Sequence, residues 1–372
     1  MTVRLLLRHG TVPVTRTSRC HVLWKETHME RILCCALLTL CGACAPSSET
    51  IRQGGTPSEG FAPRSMPVHT FSIVARDKTT GEMGVAVQSH WFSVGSVVPW
   101  AEAGIGAVAT QSFVDPAYGA LGLELMRRGK SAPEALHGLL ASDAHNDVRQ
   151  VAMIDAKGRV AAHTGEKCIM PAGHVVDEAG QFSTEANLME NDTIWPAMAE
   201  AYRQAKGDLA DRLIAALEAA QKAGGDIRGQ QSAAIVVVKA QSSGKPWEDR
   251  VFDLRVEDHP DPIGELKRLV AVQRAYNHMN AGDLAMEKKD VEAANREYTA
   301  AAKLAPQIVE LPFWQAVTLA SNGQVEQALP IFRDVFAREP RWVSLIPRLV
   351  KAGLLPNDEK ILEQIKAQEP RR

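Results

Sequence analysis

Aromatic side chains make up only 5% of the 372 residues, so packing has to rest on aliphatic side chains and alanine. A surplus of one charge is missing too: 42 Lys and Arg stand against 44 Asp and Glu, a formal net charge of −2. That balance excludes a nucleic-acid binder working through a basic field. Cysteine is nearly confined to the start, where Cys20, Cys34, Cys35, Cys41 and Cys44 lie, and Cys168 alone follows. The remainder therefore has no internal disulfide and no thiolate zinc site of its own. There is no Walker loop, no zinc-protease helix motif and no Gly-x-Ser-x-Gly elbow, and no residue pattern calls for a cofactor or a metal. What is present is 45% apolar residues, in a length that suggests about two or three domains with a real core.

Met29-Glu30-Arg31 precedes the apolar run Ile32 to Leu40, too short to span a bilayer, and then Cys41-Gly42-Ala43-Cys44-Ala45. This is the order of an export signal, with Met29 as the expected start. Gly42-Ala43-Cys44 resembles the end of a bacterial lipobox, with Cys41 where Leu is usual, which makes Cys44 the candidate lipidation residue. The alternative is a plain signal peptide cut after Ala43 or Ala45. The expectation is a periplasmic or lipid-anchored protein of the bacterial envelope, touching membrane only through that lipid. Residues 1–45 are then the export segment. Residues 46–66, rich in Pro, Ser and Gly, are a flexible linker.

Residues 67–269 read as an α/β domain. Thr70 to Arg76 alternates, Asp77 to Glu82 offers a turn with Gly81, and Met83 to Ser89 returns as a second strand. Gly104 to Thr110 is a further buried strand, followed by helical patterns at 117–128 and 132–140. Ser131 and Glu134 have the spacing of a capping box before the second of these. Val148 to Ile154 and Arg159 to Thr164 form another hairpin around Asp155-Ala156-Lys157-Gly158. Helices at 193–204 and 209–223 come next, and Ser232 to Lys239 pairs with Arg250 to Val256. Strand pairs alternating with helix pairs exclude a simple βαβ repeat. They predict an α+β fold, a four-layer α-β-β-α sandwich of two mainly antiparallel sheets with helices outside.

Residues 270–372 turn helical and repetitive. Gly282, Ala294, Tyr298, Ala301 and Pro306 recur 34 residues later as Ala316, Ala328, Phe332, Val335 and Pro340. The interval and residue types resemble tetratricopeptide repeats, which present a concave surface to protein partners. Val343–Lys351 and Glu359–Lys366 supply a third pair or a cap.

Chemically, Gly224-Gly225-Asp226-Ile227-Arg228-Gly229-Gln230-Gln231-Ser232 leads straight into an apolar strand. Its glycines let backbone come close to a ligand, and Asp226 and Arg228 can make charge-assisted hydrogen bonds; a solvated connection is the equally weighted alternative. Thr110-Gln111-Ser112 at a strand end and Asn187 in a loop are further polar candidates. His163 ends a predicted strand and His174 lies in the next loop, positions where histidines are more often packed or solvated than catalytic. Asp258-His259-Pro260-Asp261 carries ligand-type residues, but its prolines suit a helix entry.

Thr70-Phe71-Ser72-Ile73-Val74-Ala75-Arg76-Asp77, Gly84-Val85-Ala86-Val87 and Gly106-Ala107-Val108-Ala109-Thr110-Gln111 closely resemble one bacterial family. So do Asp147-Val148-Arg149-Gln150, the Gly-Gly-Asp segment, and Arg255-Val256-Glu257-Asp258-His259-Pro260-Asp261-Pro262. It is the domain of unknown function family 1028, whose members look like N-terminal nucleophile (Ntn) hydrolases. The resemblance runs from about Thr70 to Leu269. One stretch departs: Phe182-Ser183-Thr184-Glu185-Ala186-Asn187 lacks the Gly expected just before Asn, which leaves a binding role for Asn187 open.

The resemblance implies the four-layer sandwich and a mechanism. In Ntn hydrolases the first residue of the mature chain attacks an amide carbonyl, and its own α-amine takes the proton. An α-amine suits this because it titrates near pH 7.7–8. Thr70 is the matching residue, behind His69 and the linker, so the chemistry requires cleavage of the His69–Thr70 bond. On this reading Thr70 is nucleophile and base, Gln111 aids the oxyanion, and Asp226, Arg228 and Ser232 shape the pocket or orient the amine. Ser72 shares the face of Thr70 by strand alternation, and Ser72, Asn187 and His163 complete the substrate-binding candidates. The expected activity is hydrolysis of a small amide or peptide. The rival reading is a catalytically silent envelope module recruiting a protein through its helical repeats.

Overall fold

The computed structural model describes residues 66–370; the expected export segment, Cys44 and the linker up to residue 65 lie outside the described residues. The chain enters at β1 (Met66–Val68) and after His69 begins β2 (Thr70–Arg76), which pairs antiparallel with β3 (Met83–Ser89). The turn between them is built by Asp77, whose Oδ1 accepts the backbone N–H of Thr79 and Thr80 at 2.7 and 2.8 Å. Gly81 closes the turn at a φ of 77°, a conformation that suits residues without a Cβ. Next come β4 (Pro99–Glu102), β5 (Gly106–Val114), α1 (Ala117–Arg127) and α2 (Ala132–Ser142). The predicted capping box is present at α2: the Ser131 hydroxyl accepts from Glu134 N, and Glu134 reaches back to Ser131 N.

The chain continues through β6 (Arg149–Asp155) and β7 (Val160–Thr164), the predicted second hairpin, into β8 (Gly173–Asp177) and β9 (Phe182–Ala186). After α3 (Ile194–Gln204) and α4 (Leu209–Lys222), β10 (Ser232–Val238) and β11 (Arg250–Val256) pair as expected. All pairings are antiparallel. One sheet runs β1-β5-β6-β7 with β4 also on β5; the other runs β11-β10-β3-β2-β9-β8. The sequence reading did not include β1, β4, β8 and β9, which are short or carry polar residues on a buried face.

Strand alternation explains the packing. Phe71, Ile73 and Ala75 of β2 face α3 and α4, in a cluster with Met198, Leu213 and Leu217. Val74 points the other way and joins Val85, Ala109, Ala152, Ile154 and Val236 between the two sheets. On the outer face of the first sheet, Val108, Val151 and Met153 pack with Leu123, Met126 and Leu136 of α1 and α2. The molecule is thus a mixed α+β fold with two antiparallel sheets sharing an aliphatic interior.

Helix α5 (Pro262–Glu287) is 26 residues long and runs unbroken past residue 269, where the sequence reading divides the domains. Asp261 caps it, accepting from Gly264 N, so the Asp258–Asp261 stretch serves as the helix entry. The C-terminal region is all helical: α6 (Val291–Leu304), α7 (Glu310–Ser321), α8 (Val325–Arg338), α9 (Ile346–Lys351) and α10 (Glu359–Lys366). Ala294, Tyr298 and Ala301 are buried in one helical pair, and Ala328, Phe332 and Val335 in the next. No helix among the described residues is long and apolar enough to cross a membrane.

Phe332 is fully buried and meets the rings of Phe313 and Phe336. Truncating it to Ala is expected to cost about 3–5 kcal/mol in this cluster. Urea titration followed by helical circular dichroism should show the C-terminal helices of Phe332→Ala unfolding at lower denaturant, with the sheet signal following later.

Candidate functional site

The space between the sheets is apolar at one end and polar at the other. The polar end is built where strand alternation puts hydrophilic residues on inward positions: Thr70 and Ser72 of β2, Gln111 of β5, Gln150 of β6, and Ser183 and Glu185 of β9, all fully buried. Asn187 follows β9 directly and is buried as well. Uncompensated burial of such groups is costly, so they are expected to satisfy one another. Largely they do.

Gln150 is the hub. Its Oε1 accepts from Gln111 Nε2 at 2.7 Å and from Asn187 Nδ2 at 2.8 Å. Its Nε2 donates to Thr164 Oγ1 and to the Ala186 carbonyl, each at 2.9 Å. The Thr70 carbonyl accepts from the backbone N–H of Asn187 at 3.1 Å, Gln111 Nε2 at 3.3 Å and Asn187 Nδ2 at 3.4 Å. Gln111 thus stands at the carbonyl of Thr70 itself. Asn187, whose role the sequence left open, joins Thr70, Gln150 and His69, whose ring Nδ1–H donates to its Oδ1 at 2.8 Å. Burial lowers the His69 pKa, which favours the neutral ring.

The His69 carbonyl is held from the opposite side. Ser89 Oγ donates to it at 2.5 Å and Arg228 Nη2 at 2.8 Å. Arg228 is itself fixed by Asp226: its Nε and Nη2 reach the carboxylate at 3.0 and 2.6 Å, and its backbone N–H donates to Asp226 Oδ1 at 3.0 Å. Asp226 also accepts from His90 N at 3.2 Å, tying the Gly-rich segment to the end of β3. Ser232 lies in one cross-strand row with Ser89 and Thr70. Its hydroxyl donates to the Trp91 carbonyl and accepts from Val94 N, so it fixes the loop after β3. The Thr70 hydroxyl donates back to the Val68 carbonyl at 3.0 Å.

One candidate lies elsewhere. His163 is opposite Val151 on the outer face of its sheet, where its ring meets the Asn146 carbonyl at 2.8 Å. It is not brought to Thr70. Cys168 is buried, and burial pushes its thiol upward, away from a thiolate. Among the described residues no group of three or more His, Cys, Asp or Glu is placed to hold a metal ion.

Ser89, Gln150 and Glu185 were missed by sequence reasoning. For Ser89 a signal existed: the short turn after Arg76 sets Arg76 against Met83 and hence Thr70 against Ser89. Glu185 had none, because Ser183 and Glu185 are polar residues on the buried face of a strand, the reverse of the usual pattern.

The model of a family described as of unknown function, DUF1028, matches residues 70–266, more than half of the chain. The chain belongs to the DUF1028 family. A DUF1028 crystal structure, protein SPO2555 from Silicibacter pomeroyi, is 30% identical, with 58% of this chain and 92% of that chain covered and a TM-score of 0.50. No curated protein matches the chain. The DUF1028 match opens on Thr70 and ends in the first turns of α5, so β1, His69 and the helices from α6 onward lie outside it.

Glu185 is fully buried, receives a hydrogen bond from Ser72 Oγ at 3.1 Å, and has its other oxygen unpartnered. Burial raises its pKa well above the ordinary 4.5, which favours the neutral acid. Because the folded value is the higher one, its contribution to stability is fully present below pH 4.5 and is lost as pH rises toward the folded value. Glu185→Gln should therefore gain on the wild type by up to about 1.4 kcal/mol per pH unit above that point. Denaturation midpoints of both proteins from pH 4 upward test this; curves that stay parallel contradict a neutral Glu185.

Proposed function

We propose that the chain is an exported Ntn-type amidohydrolase that activates itself by breaking the His69–Thr70 bond. The observation that carries this is the pair of donors, Ser89 Oγ and Arg228 Nη2, on the carbonyl of that bond. Fixed donors aimed at a carbonyl are what a developing oxyanion needs. The Thr70 hydroxyl oxygen attacks the His69 carbonyl carbon, the C–N bond breaks, and the hydroxyl proton ends on the departing Thr70 nitrogen. The product is an ester between the His69 acyl group and Thr70 Oγ1. Water hydrolyses it to a His69 carboxylate and a free Thr70.

The new α-amine then serves as base for its own hydroxyl. On a substrate amide, Thr70 Oγ1 attacks the carbonyl carbon, the amine takes the proton and passes it to the leaving nitrogen, and water releases the acid. Ser89 and Arg228 hold the oxyanion again, with Asp226 keeping Arg228 in place. Gln111 and Asn187 fix the Thr70 backbone through its carbonyl. Two antiparallel sheets flanked by helices, and a family match that begins on Thr70, support reading the fold as the four-layer Ntn sandwich. The 34-residue register of buried small and aromatic residues supports reading the C-terminal helices as tetratricopeptide-like. The export motif ending at Cys44 supports an envelope location.

Intact mass and N-terminal sequencing of the purified full chain are expected to give Thr-Phe-Ser as the mature start. Thr70→Ala should remain uncut. Arg228→Ala should slow the cut by about 10²–10³-fold, the usual cost of one oxyanion donor. A Thr70→Ala protein cleaved at the same bond would exclude self-processing, and a wild type never cleaved there would exclude the enzyme.

A further inference from the structure

The residues ahead of the cut are not draped over the surface. β1 is an added strand on the edge of β5, with Met66 opposite Val114, Pro67 opposite Phe113 and Val68 opposite Ser112. The neighbouring stretch of that same edge, Gly106–Ala109, is taken by β4, so the leader fills the place where β4 stops. Val68 is fully buried among the aliphatic residues between the sheets. Pro67 is exposed. His69 is nearly fully buried, its ring edge-on to Phe113 with centroids 5.7 Å apart and bonded to Asn187. The His69 carbonyl, which ends this stretch, accepts from Ser89 and Arg228, while the Thr70 hydroxyl donates to the Val68 carbonyl.

We infer that residues 66–69 occupy the site as the acyl half of a substrate does, so that the mature enzyme cleaves the amide on the carboxyl side of short extended peptides bound as an added strand along Ser112–Val114. This rests on the Thr70 reading above and narrows it to a substrate class. Strand addition supplies backbone hydrogen bonds whatever the sequence, and alternate side chains meet defined surroundings. The residue in the place of Val68 has to be apolar, because it enters a closed aliphatic layer. The residue in the place of Pro67 is free to vary. The residue in the place of His69 is a neutral, flat side chain with a donor for Asn187. An acylated single amino acid uses the last of these places and forgoes the rest. The leader is also the first product, and it occludes the site until it departs.

The test uses the purified full chain after processing, with its N-terminus determined in the same preparation. Three coumarin amides serve as probes: acetyl-Met-Pro-Val-His, acetyl-Met-Pro-Asp-His and acetyl-His. The first is expected to show a kcat/KM at least about tenfold above the other two, the scale on which filling or charging one apolar place discriminates. Phe113→Ala should raise KM for the first probe by about the same factor and leave kcat within twofold. A protein that carries Thr70 as its N-terminus yet hydrolyses acetyl-His amide as well as the tetrapeptide, or cleaves neither, overturns the peptide inference and leaves the self-processing reading standing. A protein without a Thr70 terminus and without turnover of any probe overturns both.

Discussion

Everything distinctive about this molecule converges on a peptide unit that crosses from one sheet to the other. Only His69 separates β1, which belongs to the β5 sheet, from β2, in the middle of the second sheet. The carbonyls on either side of the His69–Thr70 bond are tied down by different groups: Ser89 and Arg228 hold the first, Gln111 and Asn187 hold the second. Each hydrogen bond contributes only about 0.5–1.5 kcal/mol net. Together they remove the rotational freedom that an ordinary crossing peptide would keep.

The polar end of the intersheet layer is the structural condition for this. An all-aliphatic layer would pack at least as well, as the opposite end demonstrates with Val74, Val85, Ala109 and Ile154. Replacing half of it by Gln111, Gln150, Glu185 and Asn187 costs desolvation that mutual hydrogen bonding offsets only in part. Gln111 Oε1, Ser183 Oγ and Glu185 Oε2 remain buried without partners. Polar interiors of this kind are held in place by geometry more than they stabilise it, and they cluster where chemistry needs fixed dipoles.

Much of this was legible in the amino-acid sequence. The hairpins at Thr70–Ser89 and Val148–Thr164, the pair at Ser232–Val256, the Ser131 capping box and the antiparallel sheets all follow from alternation, turn chemistry and spacing. Residue chemistry joined to family resemblance also singled out Thr70, Asp226 and Arg228, which the structure brings together around the His69–Thr70 peptide. β9 was illegible because Glu185 and Ser183 invert the expected burial, and β1 because three residues carry no period. His163 misled for a related reason: period-two alternation says that a residue takes one face, and only the pairing with Val151 says which. Ser89 and Gln150 were unremarkable as letters and became central through register.

The unbroken course of α5 bears on whatever the C-terminal helices do. Its first half packs on β10 and β11 and its second half on α6, so one rod about 39 Å long belongs to both regions. A cargo gripped by α6–α10 would accordingly be presented at a set bearing from the sheets, like a tool in a fixed holder, with no linker to average that orientation away.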